Sequence, residues 1–135
     1  YYIQVNACNP MLRPETIDRA VEYFQNSNVN SLFSVAKKNN FYFNKDSQVL
    51  NDFNGNKAHF FGLDTRQVEP IYEAAHSIYI FCSEYLKNSP YGARWSFTKD
   101  DPYLFEIPPE EAHDIDELWQ FNLAEAIYLR NFTVE

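Results

Sequence analysis

The sequence predicts an α/β domain, a sheet covered by helices, with an irregular hairpin region as an excursion from the sheet. Three observations carry this expectation. The aromatic and β-branched runs YYIQV, SLFSVAKK and SIYIF alternate with helix-period stretches, in the order strand, helix, strand, hairpin, strand, helix. The 135 residues suit one domain, and a hydrophobic share of 45% with 18% aromatic residues can fill a real core. Only three glycines occur, Gly55, Gly62 and Gly92, so the chain carries no glycine-rich phosphate loop.

Taken in order, Tyr1 to Val5 reads as a buried strand that runs into a polar turn at Asn6 to Pro10. A helix follows through RPETIDRAVEYF. Pro14 suits a first helical turn, Glu15 and Asp18 complement its positive end, and Ile17, Val21 and Phe24 recur at helical spacing. QNSNVN closes it. SLFSVAKK is a second core strand, centred on Leu32 to Val35, and NNFYFNKDSQVLNDFNGNK is an irregular hairpin turning near Lys45 to Ser47. SIYIFCSEYL is a third strand, or a strand passing into a helix, and all three strands belong to one sheet. Pro108-Pro109 makes a stiff turn ahead of HDIDELWQFNLAEAI, whose second part is apolar and helical. No repeat or low-complexity segment interrupts this order. The chain opens at Tyr1, without an initiator Met and already in a strand-like run, and so reads as an excerpt of something longer.

Composition removes several classes of function. A net charge of -8, with no basic run beyond Lys37 and Lys38, argues against a surface for a phosphate backbone, so nucleic acid is not an expected partner. The longest apolar run falls far short of a membrane span and no charged-then-apolar leader opens the chain, so a soluble, cytoplasmic protein is expected. Cys8 and Cys82 are too few for a disulfide framework or a four-ligand zinc site, and two free thiols are expected.

Asp114 and Asp116 stand one residue apart, just ahead of the apolar helical stretch, and two readings compete for them. Asp is a favoured N-cap, and acidic residues in a first turn are stabilised by the helix dipole. That accounts for one carboxylate and leaves the other. If residues 114–116 are extended, the two-residue strand period points both carboxylates to one side and Ile115 to the other. Such a pair suits Mg²⁺, which takes one or two carboxylates and fills its remaining positions with water and substrate phosphates. The same alternation turns His113 away, as a packing or surface histidine. Arg66, near Asp64, reads as a surface charge, and Tyr72 and Tyr79 read as core aromatics among apolar neighbours. Asn6 is either a turn residue satisfying its own backbone or an amide for a substrate hydroxyl.

The segments VNACNPMLRPETI, RQVEPIYEAAHSIYI and HDIDELWQFNLAEAI resemble, in that order, the second half of the cytidylyltransferases that make CMP-activated sugar acids, above all the acylneuraminate type. In the first, Asn6, Asn9 and Pro10 fall at the glutamine, serine and second proline of the family's Gln-Pro-Thr-Ser-Pro-Leu-Arg. In the second, Arg66, Gln67, Pro70, Tyr72, Ile78 and Tyr79 match, and in the third Asp114, Ile115, Asp116, Ala124 and Glu125 match. The resemblance implies a nucleotidyltransferase-like, Rossmann-like sheet whose first half is absent, residues 1–135 being the C-terminal part of a single domain with a dimerisation hairpin. It implies CTP and a sialic-acid-like sugar acid as substrates, pyrophosphate as leaving group, and Mg²⁺ held by Asp114 and Asp116 as the catalytic pair. It places Asn6, Arg66, Gln67 and Tyr72 at the sugar acid, with the arginine fork suited to the substrate carboxylate. A homodimer is implied too, and the aromatic content of FYFNKDSQVLNDF and FTKDDPYLFEI agrees with an interface.

Departures fall at Leu12, where the family has Arg and this chain has Arg13 one place on, at Ala75-His76 in place of Asn-Gly, and at Gln120 in place of a further Asp. They leave the sugar unassigned. An octulosonate-type cytidylyltransferase stays close, and the rival of a different class is a non-catalytic sugar-binding or dimerisation module descended from such an enzyme.

Overall fold

In a computed structural model, residues 1–51, 65–89, 98 and 101–132 are described. The fold is α/β, with a mixed sheet and flanking helices. Its elements are β1 (Tyr2–Val5), α1 (Pro14–Asn26), β2 (Ser31–Lys38), β3 (Ile71–Phe81), α2 (Ser83–Asn88), β4 (Tyr103–Glu106) and α3 (Leu118–Phe132), with a short 3-10 turn at Thr65–Gln67. The four-stranded sheet runs in the order β1-β3-β2-β4, so the three strands expected in one sheet do share one.

Strand directions follow from the register. β1 is antiparallel to β3, with Tyr2 opposite Phe81 and Val5 opposite Ile78, and β2 is parallel to β4, with Leu32 opposite Tyr103. Cys82 donates its N–H to the Asn30 carbonyl at 2.8 Å, while Ser77 and Ile78 donate theirs to Ser34 Oγ at 3.1 and 2.9 Å. Rising numbers on β2 thus meet falling numbers on β3, and that pair is antiparallel as well. β1, β2 and β4 therefore share one direction, and the loops that follow β1 and β4 leave the sheet at the same end. Asn6 N–H continues the ladder there to the Ser77 carbonyl at 3.0 Å, and Ile107 N–H to the Val35 carbonyl at 3.0 Å.

The helix α1 packs on this sheet for the reason its spacing predicts. Thr16, Ala20 and Phe24, four residues apart, are its fully buried stripe, and Ile17 and Val21 flank it half-buried. Ala20 and Phe24 meet Leu32, Ile78 and Ile80. The opposite side chains of β2 and β3, Phe33, Val35 and Tyr79, form a second buried cluster, so the central strands bury both faces. The polar members of these strands are paired: Ser34 through the two bonds above, and Ser31 by donating to Asp101, whose other oxygen accepts from Tyr85.

Three expectations need correction. Residues 2–5 form a strand, but an exposed one. β1 lies at the sheet edge beside β3, with all four residues exposed and Tyr2 stacking on Phe81 at 5.6 Å. Second, PYLFEI contributes β4, a strand the reading lacked, because four residues between Pro102 and Pro108 give too little pattern to see. Its aromatics are then used internally: Tyr103 and Phe105 pack on the α1 core, and Tyr103 stacks on Tyr23 at 4.3 Å. Third, Tyr72 is 43% exposed and is no core aromatic, unlike Tyr79. The third strand is also longer than expected and does pass into a helix, α2.

By contacts the chain forms two compact units, one of residues 1–36 and 74–135 and the other of 37–73. The second holds the expected hairpin. Phe43 pairs with Val49 across a turn in which Asn44 Oδ1 accepts from Asp46 and Gln48 N–H at 2.9 Å each, and Ser47 takes a left-handed φ of 61°. Asn51, buried, holds the ends together by donating to the Asn40 and Glu69 carbonyls at 2.9 and 2.8 Å. The hairpin residues beyond Asn51, through Lys57, lie outside the described residues.

One further backbone feature sits where β3 begins its buried run. His76 has a left-handed φ of 56°, a conformation that costs an L-residue about 1–2 kcal/mol and glycine nothing. Its ring lies 2.8 Å from the Tyr79 hydroxyl and edge-on to Phe33, which offsets part of that cost. The expected result for His76→Gly is a stability within about 1 kcal/mol of the parent, whereas His76→Val, β-branched, loses about 2 kcal/mol or more. Urea denaturation of the two variants checks this.

Candidate functional site

The two loops at the shared carboxyl end of β1 and β4 are bonded to each other. Ile115 N–H donates to the Cys8 carbonyl at 3.0 Å, which sets the aspartate segment beside the turn after β1. Open α/β sheets bind ligands at this end of their strands, because loops from neighbouring strands diverge there.

The turn itself is built by asparagines. Asn6 Oδ1 accepts from Cys8 N–H at 3.1 Å, an Asx-turn, so its amide oxygen is engaged in shaping the loop. Asn9 is different, being only 4% exposed. Its Nδ2 donates to the Ala75 carbonyl at 3.4 Å, and its Oδ1 is buried with no hydrogen-bond partner.

The segment that carries the aspartates is held by Glu111. Its carboxylate, 2% exposed, accepts the backbone N–H of Arg13 at 3.1 Å, while its own carbonyl accepts from Ser77 Oγ at 3.4 Å. Arg13 is the residue before α1, so the charge of Glu111 sits at the positive end of that helix. The Arg13 guanidinium lies 3.9 Å from the same carboxylate but is 61% exposed, and a screened contact of that length adds little. Nothing in the sequence marks Glu111. Beside Glu110 and two prolines it reads as surface charge.

Ahead of α3 the side-chain acceptor is Gln120 and not an aspartate. Gln120 Oε1 accepts the N–H groups of Asp116 at 2.8 Å and Glu117 at 2.6 Å, the reach-back half of a capping box. His113 Nε2 donates to the Gln120 carbonyl at 2.9 Å, a packing role in the first turn. Residues 113–116 lie in no helix or strand, and the two carboxylates differ in setting. Asp116 is exposed, whereas Asp114 Oδ1 is buried and without a partner. An orphaned buried carboxylate oxygen fits a cation ligand, and a pair of oxygens is what Mg²⁺ takes from a protein. No group of three His, Cys, Asp or Glu side chains that could hold a metal occurs among the described residues.

A cavity of about 490 Å³ lies between the turn after β1 and α3, walled by Pro10, Met11, Ile115, Phe121 and Tyr128, with Glu125 as its carboxylate. Cys8, exposed, is also on its wall, and both cysteines are free thiols.

Arg66, Gln67 and Tyr72 belong to the second compact unit. Arg66 and Gln67 are exposed on the 3-10 turn, and Tyr72 is exposed at the beginning of β3. Asn6, Asp114 and Asp116 belong to the first unit, in which the bond from Ile115 N–H to the Cys8 carbonyl sets the turn that starts at Asn6 beside the aspartate segment.

α3 buries little of itself. Leu118, Trp119, Phe121, Leu123, Tyr128 and Leu129 are all exposed, Trp119 by 63%, while Ala124 is buried. No helix among the described residues is long and apolar enough to cross a membrane. A comparison with models of known protein families finds no match, and neither does a comparison with curated proteins.

Two stability measurements test this reading of the scaffold. Glu111→Ala leaves the Arg13 N–H without its buried acceptor and is expected to cost about 2–3 kcal/mol, with Glu111→Gln costing less. Gln120→Ala removes the acceptor of two helix-end N–H groups and is expected to cost about 1 kcal/mol, while Asn at 114 or 116 changes stability little. Equal losses from Gln120→Ala and Asp116→Ala would return the aspartate to a capping role, since Asn would itself still cap.

Proposed function

We propose that the chain is the sugar-acid and metal half of a cytidylyltransferase, which transfers CMP from CTP to a sialic-acid-like sugar acid and releases pyrophosphate. In this reading the nucleotide-binding half lies upstream, and the enzyme works as a cytoplasmic homodimer. The observation that carries it is the buried, unpartnered Oδ1 of Asp114 at the carboxyl end of the parallel strands. Two features support it. Gln120, and not an aspartate, is the side-chain acceptor just ahead of α3, which weakens the helix cap as the rival role for the aspartate pair. His76 stands at the glycine of the family's Asn-Gly pair, and its backbone holds the left-handed conformation that glycine takes freely.

In this reaction the anomeric hydroxyl oxygen forms a bond to the α-phosphorus of CTP. The bond from that phosphorus to the bridging oxygen breaks, and pyrophosphate departs with the electron pair. The hydroxyl proton passes to solvent. Asp114 and Asp116 would hold Mg²⁺, which when bound neutralises charge on the phosphates and orients them. Arg66 would grip the sugar carboxylate through its two-pronged guanidinium, with Gln67, Tyr72 and Asn6 at the remaining polar groups of the sugar. Gln120, His113 and Glu111 position the aspartate segment and touch no substrate.

A second reading has its own observation. The apolar side chains exposed on α3 and β1 suit a non-catalytic binding or dimerisation module, since contiguous exposed apolar surface usually marks an interface.

Pyrophosphate release from CTP in the presence of an acylneuraminate, an octulosonate or neither separates the readings. In the full-length protein, Asp114→Asn and Asp116→Asn are each expected to lower turnover by about 3 kcal/mol of barrier, roughly a hundredfold, with melting temperatures little changed. Normal turnover in both variants ends the metal reading. Arg66→Lys is expected to raise the KM for the sugar acid more than that for CTP, because lysine keeps the charge and loses the fork. Equal losses for both substrates assign Arg66 a structural role.

A further inference from the structure

Among buried side-chain atoms of the described residues, two oxygens lack a hydrogen-bond partner, Asn9 Oδ1 and Asp114 Oδ1. They belong to the same place. Asn9 follows Cys8 and Asp114 precedes Ile115, and Cys8 and Ile115 are joined by the 3.0 Å backbone bond between the two loops.

The orientation of the Asn9 amide is chemically determined. Its Nδ2 faces the Ala75 carbonyl at 3.4 Å, and a flipped amide would set oxygen against oxygen. The oxygen therefore points away from Ala75 with its lone pairs open. Two acceptors cannot satisfy each other, so each needs a donor or a cation. Water could supply hydrogens to both. It does not answer the charge, and Asp114 has no ion-pair partner among the described residues. A buried carboxylate oxygen with neither a hydrogen-bond donor nor a counter-charge is unfavourable, and a cation supplies what it lacks.

We infer that Asn9 is a third protein ligand of the cation, its amide oxygen joining the carboxylates of Asp114 and Asp116, an inference that rests on the metal reading above. Three oxygen donors and no nitrogen or sulfur select a hard cation such as Mg²⁺ or Mn²⁺. The backbone then fixes the site from two sides, the turn after β1 and the segment after β4.

Cation binding to the full chain, without nucleotide or sugar, tests this with MnCl₂ followed by electron paramagnetic resonance, and with thermal melts in MgCl₂ against chelator. Wild type is expected to bind Mn²⁺ and to melt higher with MgCl₂. Asn9→Ala is expected to weaken Mn²⁺ binding by about tenfold or more. Asn9→Asp keeps the size and adds a charge, so it is expected to melt lower than wild type in chelator, bind Mn²⁺ more tightly and gain more from MgCl₂. If Asp114→Asn loses Mn²⁺ while both Asn9 variants bind as wild type does, Asn9 is no ligand and the aspartate reading stands. If wild type itself takes up no Mn²⁺ at millimolar concentration, both fail, and the two oxygens are bridged by water.

Discussion

The hydrogen bond from the Arg13 backbone to the buried Glu111 carboxylate is the constraint on which the rest of the site depends. It joins the entrance of α1 to the segment between β4 and α3, two places that the chain reaches from different strands. The segment cannot shift without leaving an ionised group in the interior unmatched. Ser77, bonded to the Glu111 carbonyl, extends the tie to β3, so three elements of the sheet layer agree on one position for residues 113–116. A negative charge at a helix N-terminus is favourable in itself, and the burial makes its position specific.

What this scaffold presents is an imbalance of acceptors. Other buried side chains of the sheet layer are matched, down to the Ser34 hydroxyl that takes two N–H bonds inside the core. Asn9 and Asp114 are the exceptions. Native interiors leave few such groups, and each calls for a physical reason. Here the two exceptions share a loop junction, and both are oxygens. The cavity that Ile115 lines has the opposite character, with mostly aromatic and aliphatic walls.

Much of the fold was legible because it rests on local pattern. α1 announces itself through Pro14 and the helical spacing of Ile17, Val21 and Phe24, and SLFSVAKK reads as a strand from its apolar and β-branched run, six of its residues being buried in succession. β4 and the exposure of β1 were not legible, since both depend on which strand lies next to which, and that is decided by residues far apart in sequence. The site divides in the same way. Asp114 and Asp116 were visible as an acidic pair, and Asn6 as a turn residue. Asn9 was seen only as part of that turn, and Glu111 not at all, because burial of a polar side chain is a property of the tertiary fold. Gln120 stood out merely as a departure, yet its amide frees the aspartates from the helix.

The unit of residues 37–73 begins and ends at neighbouring points, where Lys38 Nζ and Glu73 Oε2 lie 3.0 Å apart. A peptide whose ends already meet contributes closure entropy that grows only with the logarithm of its length, about 0.6 kcal/mol for each doubling. Insertions and deletions between those ends are therefore tolerated far more readily than in the turn after β1 or between β4 and α3. Over evolutionary time this excursion is where the chain is free to change size, while the turn after β1 and the segment after β4 keep theirs.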